Sequence, residues 1–352
     1  MAGSIRWSHP PTLADEWEGE TLLRYIGRRI ALMVPLIIVI SIVSFIIIQL
    51  PPGDYLSTLV AELEETGDTI SQAELARLRQ RYGLDQPVHV QYWRWITGVL
   101  QGDFGWAFGW NAPVREVIGA RLPMTIVVTS FTLLLTWVVA LPIGIYCAVN
   151  QYTRADYFFT FLSFIGLATP NFLLALVLMF VSVTVFGGSV GGLFSPEFVN
   201  APWSWARVMD LLSHLWIPAI VIGTSGTASL TRIMRGNLLD ELRKPYVVAA
   251  RARGVPFRKV LFRYPVRVAM NPFISTIGRV LPDLVSGTTI TAIVLNLPTT
   301  GPVLHRALMS QDMYVAGGFL LMVAVLTLIG TLISDILLAL IDPRVRFGVH
   351  TE

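Results

Sequence analysis

The stretch RKPYVVAARARGVPFRKVLFRYPVR, from Arg243 to Arg267, contains eight Lys or Arg residues and no acidic residue, and it joins two strongly apolar segments. Its first part predicts a helix from Pro245 to Gly254. Proline suits a first helical turn, glycine suits the C-terminal stop, and the alanines between them favour helix. A second helical piece is predicted from Phe257 to Val266. A slim, alanine-rich helix of this kind is typical of a docking element, and we name residues 239–268 the basic loop.

A second interpretation of the basic loop stays open. Its charges would then only set the topology and anchor the loop on anionic lipid headgroups, at about 1 kcal/mol for each charge near the surface. This interpretation accounts for the charges. It does not account for the alanines, for the turn glycine Gly254, or for Tyr246 at the head of the helix.

The composition of the chain predicts an all-α integral membrane protein. Of its 352 residues, 54% are hydrophobic and only 14% are charged, whereas a soluble domain carries roughly 25% charged residues. The single cysteine, Cys147, excludes a disulfide framework, and the five histidines show no ligand-like spacing, so we expect no metal site. The net charge of +3 gives no support to a nucleic-acid partner.

Six apolar runs are long enough to cross a bilayer, which takes about 20 residues of helix. They are Ile30–Leu50, Met124–Val149, Tyr157–Phe186, His214–Ile233, Ala269–Asn296 and Tyr314–Ile341. The chain is accordingly divided into an N-terminal segment (1–29), a first span (30–50), an external segment (51–123), a core of five spans that includes the basic loop (124–341), and a C-terminal tail (342–352).

The distribution of Lys and Arg orients these spans. With the N-terminus inside, 17 of these residues lie on the cytoplasmic side and eight lie outside, as the positive-inside rule requires. Both termini and the basic loop are therefore predicted to be cytoplasmic. In the long external segment, Ser71 with Glu74 three residues on predicts the start of a helix, and Gly83 predicts its end.

The basic loop resembles the EAA coupling loop of ABC importer permeases, in the form found in the dipeptide/oligopeptide branch. The segment YVVAARARG, followed by Arg267, carries the resemblance. This sequence departs from the pattern of the branch at Ala249, where the branch prefers threonine, and at Tyr264, where the branch often has histidine. The residues that the resemblance assigns to ATPase coupling are Tyr246, Ala249, Ala250, Arg251, Ala252, Arg253, Gly254 and Arg267.

Other segments resemble the same family in the same order along the chain. They are PPGD (Pro51–Asp54), RYGLDQPVHVQYWRWITGVLQGDFGWAF (Arg81–Phe108), RLPMTI (Arg121–Ile126) and ALIDPRVRFG (Ala339–Gly348). The resemblance implies the type I ABC importer permease fold, in a multi-pass protein of a bacterial or archaeal inner membrane.

The resemblance also implies partners: a second permease subunit of different sequence, two ABC ATPase subunits and an extracytoplasmic substrate-binding protein. The residues agree that this chain is not itself the ATPase. Its only lysines are Lys244 and Lys259, and neither follows a glycine, so the chain has no G-K-[ST] phosphate loop. We therefore expect no cofactor on this chain, and ATP and Mg²⁺ on the ATPase subunits.

Ionisable and hydroxyl side chains inside the spans are candidates for the translocation path. On the fifth span these are Arg279, Asp283, Ser286 and Thr289. The alternative is that Arg279 and Asp283, which are four residues apart, form an internal ion pair, and that the hydroxyls only pack helices. On the sixth span, Asp335 is expected to tether a neighbouring helix or the basic loop.

The expected substrate is a di- or oligopeptide, with an oligosaccharide as the alternative. After the fifth span, residues 292–308 lack the acidic residue that the peptide branch usually has there. A secondary transporter or channel is the alternative of another class. It would not need a docking loop, and neither inverted repeats nor rings of charge are visible in the sequence.

Overall fold

The computed structural model describes residues 22–50, 55–66, 71–82, 85–186, 191–277 and 289–341. Most of these residues are helical. The helices are α1 (Leu22–Gln49), α2 (Tyr55–Thr66), α3 (Gln72–Tyr82), α4 (Val88–Leu100), α5 (Val114–Val149), α6 (Arg154–Ala168), α7 (Asn171–Phe186), α8 (Trp205–Leu242), α9 (Pro245–Ala252), α10 (Phe257–Arg263), α11 (Pro265–Ala269), α12 (271–277, as far as it is described), α13 (Thr289–Val294), α14 (Thr300–Met309) and α15 (Met313–Ile341).

The external segment contains the short helices α2, α3 and α4 and one small hairpin. Strand β1 (Trp106–Ala107) pairs antiparallel with β2 (Ala112–Pro113) across a turn of 3-10 helix, Phe108–Trp110. Helix α3 begins directly after Ser71, whose hydroxyl accepts a hydrogen bond from the Glu74 amide at 3.2 Å. The capping signal in the sequence is therefore confirmed, while Gly83 lies outside the described residues.

Within the described part of the chain, four helices are long and apolar enough to cross a membrane: α1, α5, α8 and α15. They overlap the first, second, fourth and sixth predicted spans. The fifth predicted span, Ala269–Asn296, includes residues 278–288, which lie outside the described residues. The count of six spans therefore stays a prediction.

The third predicted span is not one straight helix. Helices α6 and α7 meet at 102°, a geometry that fits either one broken span or a re-entrant loop. The break falls at Thr169 and Pro170, just before α7. Proline has no amide hydrogen to donate and disfavours helical geometry in the residue before it, so a helix ends there. The span predicted for Tyr157–Phe186 is interrupted by this break, and its crossing of the membrane stays a prediction.

Two other helices extend well beyond their predicted spans. Helix α5 begins at Val114, so the boundary predicted between residues 123 and 124 falls inside a helix. Helix α8 covers 38 residues, and its start is capped by Ser204, whose hydroxyl accepts from the Arg207 amide at 3.3 Å. Hydropathy marks only the apolar part of a helix, whereas caps decide where the helix itself starts.

The centre of the fold is the packing of α5 against α8. On α5, the threonines at 125, 129, 132 and 136 recur at helical spacing, and all four are buried. On α8, a Cβ at Gly223 would meet the Thr136 Oγ1 at 3.0 Å. A Cβ at Gly144 of α5 would meet the Met234 Cβ at 2.6 Å. Lipid tails are as apolar as these side chains, so burying apolar surface between helices gains little in a membrane. Membrane helices therefore associate through such close packing of small residues.

This packing makes Gly144 sensitive to a single methyl group. We expect Gly144→Ala to destabilise the protein by about 1–3 kcal/mol, because the added Cβ forces α5 and α8 apart. The matched change Gly119→Ala, on the same helix, meets nothing within 4 Å and should be neutral or stabilising by about 1 kcal/mol. Thermal unfolding in detergent measures both, and equal melting temperatures would contradict the close packing.

Candidate functional site

Helix α9 forms the head of the basic loop, and six of its eight residues are exposed. Within it, Val247 is the buried residue, at 1% exposure. Ala249 and Ala252 are exposed. Because each residue turns the helix by 100°, these two alanines lie roughly opposite Val247. The helix therefore rests on Val247 and presents the small side chains of Ala249 and Ala252 on its opposite side.

Gly254 ends α9 in a Schellman motif. Its amide donates to the Arg251 carbonyl at 2.9 Å, and the Val255 amide donates to the Ala250 carbonyl at 3.3 Å. The φ angle of Gly254 is 77°, a left-handed conformation that glycine adopts without strain. A Cβ at this position would meet nothing within 4 Å. Within this chain, then, glycine is required by the backbone turn and not by a crowded neighbour.

Some residues of the motif make contacts inside the loop itself. The Tyr246 hydroxyl donates to the Glu241 carboxylate, and its ring meets the edge of Tyr264 at 6.3 Å between centroids. The Arg251 guanidinium lies 5.4 Å from the ring centroid of Phe257. These contacts brace α9 against the end of α8 and the start of α10. The exposed motif residues Ala249, Ala252 and Arg253 make no such contacts among the described residues.

The rest of the basic loop is built into the helix bundle. Leu261, Val266 and Ala269, from α10 and α11, are buried in one apolar cluster with Ala140 of α5 and Met234 of α8. Arg267, also on α11, is exposed. Helices α10 and α11, which follow α9, are therefore packed against α5 and α8. The alanine face and this anchored base together form a projecting element on a rigid support.

Comparison with known proteins gives the family of the chain. Residues 140–347 match the family described as "Binding-protein-dependent transport system inner membrane component", and residues 22–129 match the N-terminal component of the same system. The chain belongs to this family. It is therefore a multi-pass inner membrane component of an ABC importer, as the resemblance of the basic loop predicts.

Several named relatives are similar to this permease over nearly their whole length. The oligopeptide transport system permease protein AppB of Bacillus subtilis is 35% identical over 92% of this chain and 99% of its own. The dipeptide transport system permease protein DppB of Escherichia coli K12 is 29% identical over 92% and 99%. The glutathione transport system permease protein GsiC of Salmonella paratyphi A is 29% identical over 93% and 100%.

A buried ion pair lies near the end of α8 that leads into the basic loop of this permease. Arg235 donates to both carboxylate oxygens of Asp156, from Nε at 2.8 Å and from a terminal nitrogen at 2.9 Å. The Tyr152 amide also donates to Asp156, at 2.9 Å. The Asp156 side chain is only 2% exposed. This bidentate pair ties the start of α6 to α8.

Sequence reasoning missed this ion pair, although part of the signal was present. Thr153 caps α6, accepting from the Asp156 amide at 3.3 Å, so the segment TRAD has the capping-box spacing of a helix start. Arg235 was assigned to the region beyond the fourth span because that span was predicted to end at Ile233. The helix continues to Leu242, so Arg235 lies within it.

The candidates within the spans have different outcomes. Asp335 lies 3.2 Å from Arg29, so its contact is with α1. Thr289, the first residue of α13, is half-buried, and a Cβ at Gly301 would approach its hydroxyl oxygen to 3.0 Å. Arg279, Asp283 and Ser286 lie outside the described residues. The assignment of these four residues of the fifth span to a translocation path stays a prediction.

At the start of α15, Asp312 is a further buried carboxylate that sequence reasoning did not single out. It is 0% exposed and precedes α15. One of its oxygens accepts from the Val315 amide at 3.3 Å, and the other accepts from the Gly109 amide of the hairpin turn at 3.2 Å. An aspartate directly before an apolar helix is an N-cap signal in sequence. The long-range bond to Gly109 depends on the fold.

Breaking the Asp156–Arg235 pair from one side should be costly. We expect Arg235→Leu to destabilise the protein by about 3–5 kcal/mol, because it leaves a buried carboxylate without its charge partner. Adding Asp156→Asn to the same chain removes the unpaired charge and should restore part of that loss. Thermal unfolding in detergent tests this. A double variant as unstable as the single one would show that the loss lies elsewhere.

The buried Asp312 predicts a specific pH dependence of stability. Burial raises the pKa of Asp312 from 3.8 to about 6, so the folded protein binds this proton more tightly than the unfolded chain. The resulting stabilisation is fully present at a pH below the pKa that Asp312 has in the unfolded chain. It is lost as the pH rises through about 6, the pKa of Asp312 in the folded protein. Asp312→Asn keeps an N-cap but does not titrate.

We therefore expect the melting temperature of the unsubstituted protein to rise relative to that of Asp312→Asn when the pH falls from about 7 to about 5. The other titrating groups are the same in both proteins, so their effects cancel in the difference between the two melting temperatures. A difference that stays constant with pH would contradict the shifted pKa.

Proposed function

We propose that this permease forms one half of the channel of an ATP-driven peptide importer and that α9 couples the channel to an ATPase subunit. The observation that carries the proposal is the exposed alanine face of α9, on an anchored loop, in a chain of the binding-protein-dependent family. The chain has no phosphate loop of its own, so ATP and Mg²⁺ bind to the ATPase subunits.

The geometry of α9 supports docking into a groove. Small side chains allow a partner surface to approach the helix backbone closely, as in other helix contacts built on small residues. Basic residues flank the alanine face, and Arg253, Arg258 and Lys259 are exposed. A groove with acidic residues at its rim fits this face, since opposite charges steer association and fix orientation.

The mechanism follows from the way in which the loop is anchored. Helix α8 runs for 38 residues without interruption, about 57 Å at 1.5 Å per residue, and leads directly into the basic loop. When ATP draws two ATPase subunits together, each docked loop moves with its subunit. The apolar cluster and the Asp156–Arg235 pair carry this movement to α5, α6 and α8. Rigid-body rotation of the spans then exchanges inward-open and outward-open states.

The proposed topology places both termini and the basic loop in the cytoplasm. The excess of Lys and Arg on that side supports it. The partners are then two ATPase subunits on the cytoplasmic side, a second permease chain of different sequence in the membrane, and a substrate-binding protein outside. Lipid covers the apolar faces that these partners leave exposed.

Peptides are the proposed substrate class because of the relatives' names. The similar permeases are named for oligopeptide, dipeptide and glutathione transport, which favours peptides over oligosaccharides. Membership of a binding-protein-dependent family likewise favours an ATP-coupled importer over a secondary transporter or channel.

Adding bulk to the alanine face tests the coupling role. In Ala249→Trp or Ala252→Trp, we expect co-purification of the ATPase subunits and ATP-dependent uptake to fall by about tenfold or more, because an indole prevents close docking at the centre of an interface. Membrane insertion should be unchanged, since both alanines are exposed within this chain. The matched control is Ala206→Trp, at an exposed position near the outer start of α8.

Two outcomes would contradict the proposal. If both α9 variants retain the ATPase subunits and full uptake, the alanine face is not a docking face, and the basic loop acts only as a lipid anchor. If the purified assembly moves solute without ATP and stops when the proton gradient collapses, the protein is a secondary transporter.

A further inference from the structure

A cavity of about 590 Å³ lies beside the outer half of α8, between α7, the segment after residue 190 and the end of α13. Its volume falls in the range typical of small-molecule sites, about 300–1,000 Å³. The lining residues that matter to its chemistry are Met179, Ser182, Ser213, His214, Trp216 and Leu295. Neither the basic loop nor the proposed path residues of the fifth span contribute to it.

The walls of this cavity are preformed. Asp210 of α8 accepts two hydrogen bonds from Ser195, from its amide at 2.8 Å and from its hydroxyl at 2.6 Å. The Gly192 amide donates to the Leu295 carbonyl at 2.7 Å, which joins the same segment to the end of α13. One wall is therefore fixed to α8 and to the residues after α13 by three short hydrogen bonds, so a ligand does not have to order it.

The lining carries no formal charge from Asp, Glu, Lys or Arg among the described residues. The nearby Asp210 carboxylate is occupied by Ser195, and the His214 Nδ1 lies 2.8 Å from the Asp210 carbonyl oxygen. A charged group entering this cavity would lose its hydration, which is costly, and the Asp210 carboxylate beside it already accepts two hydrogen bonds from Ser195 and lies 3.6 Å from the His214 Nδ1. The cavity therefore favours an uncharged ligand.

The apolar and polar parts of the lining suit one kind of uncharged ligand. Met179 is flexible and polarisable, and the Trp216 ring offers a face for stacking. Ser182 is 6% exposed, and its hydroxyl has no hydrogen-bond partner among the described residues. A hydroxyl that lines the cavity without a protein partner is poorly matched to a lipid acyl chain and well matched to a ligand with an amide beside an apolar group.

We infer that this cavity receives an uncharged apolar or aromatic side chain of the transported peptide, with Ser182 bonding to the adjoining peptide backbone. The inference rests on the proposed function and makes this chain a contributor to side-chain selectivity. Selection by the external binding protein precedes it. The cavity then acts as a second filter at the outer end of α8.

The test fills the cavity and compares two peptides. The permease is reconstituted in liposomes with its second permease, ATPase subunits and binding protein, and ATP-dependent uptake of Ala-Phe-Ala and Ala-Ala-Ala is measured. In Ser182→Leu we expect the KM for Ala-Phe-Ala to rise by about tenfold, and that for Ala-Ala-Ala by less than about twofold, the discrimination typical of an apolar pocket. Val183→Leu, at the next and exposed position of α7, should change neither.

A second variant guards against misfolding. Ser213 also lines the cavity and is exposed, so Ser213→Leu narrows the same space without burying a new side chain. It should shift the KM of the two peptides in the same unequal way. In the unsubstituted assembly, a tripeptide with a central benzoylphenylalanine should crosslink to Met179 or Trp216.

Each remaining outcome overturns the inference. Equal losses for both peptides in the two serine variants would indicate a structural role, and unchanged uptake would show that the cavity is not used. Crosslinking of a photoreactive phospholipid at Met179, with no competition by Ala-Phe-Ala, would assign the cavity to lipid. If the unsubstituted assembly imports neither tripeptide with ATP, the proposed function itself fails, and that result is visible before any variant is made.

Discussion

The close contact between α5 and α8 is the interaction on which the rest of the structure depends. Inside a bilayer, removing apolar surface from lipid gains little, so helices are held by close packing and by hydrogen bonds. Gly144 and Gly223 allow the two longest helices to approach, and buried threonines fill the space between them. Helix α8 then supports α6 through Arg235, anchors α10 and α11 through the apolar cluster, and forms one wall of the outer cavity.

The basic loop shows how one sequence motif combines two physical roles. Tyr246 and Arg251 brace the loop from within, and Gly254 closes α9 by a left-handed turn. Ala249 and Ala252 do neither, and their small exposed surface is suited to a partner. A substitution in the motif can therefore act on the proposed coupling in two ways, by loosening the loop or by blocking its face. The two effects are separable because they fall on different residues.

Three buried or half-buried carboxylates connect different elements of the fold. Asp156 joins α6 to α8, Asp312 joins α15 to the hairpin of β1 and β2, and Asp210 joins α8 to the segment before it. Each accepts more than one hydrogen bond, as a carboxylate removed from water must to offset the loss of hydration. They lie at helix ends or beside loops, where backbone amides are free to donate.

Much of this protein was determined by its sequence alone. Hydropathy placed four spans, the cap at Ser71 and the first-turn proline Pro245 placed short helices, and the basic loop identified the family, because each of these signals is local. Pro170 indicates a helix break in the sequence, but only the tertiary structure gives the angle of 102° between α6 and α7. Which residues share a cavity, which arginine meets Asp156 and which face of α9 is exposed were decided by tertiary structure. The physical reason is that packing brings together residues far apart in the chain, such as Asp312 and Gly109, which are 203 residues apart, and no local pattern records that proximity.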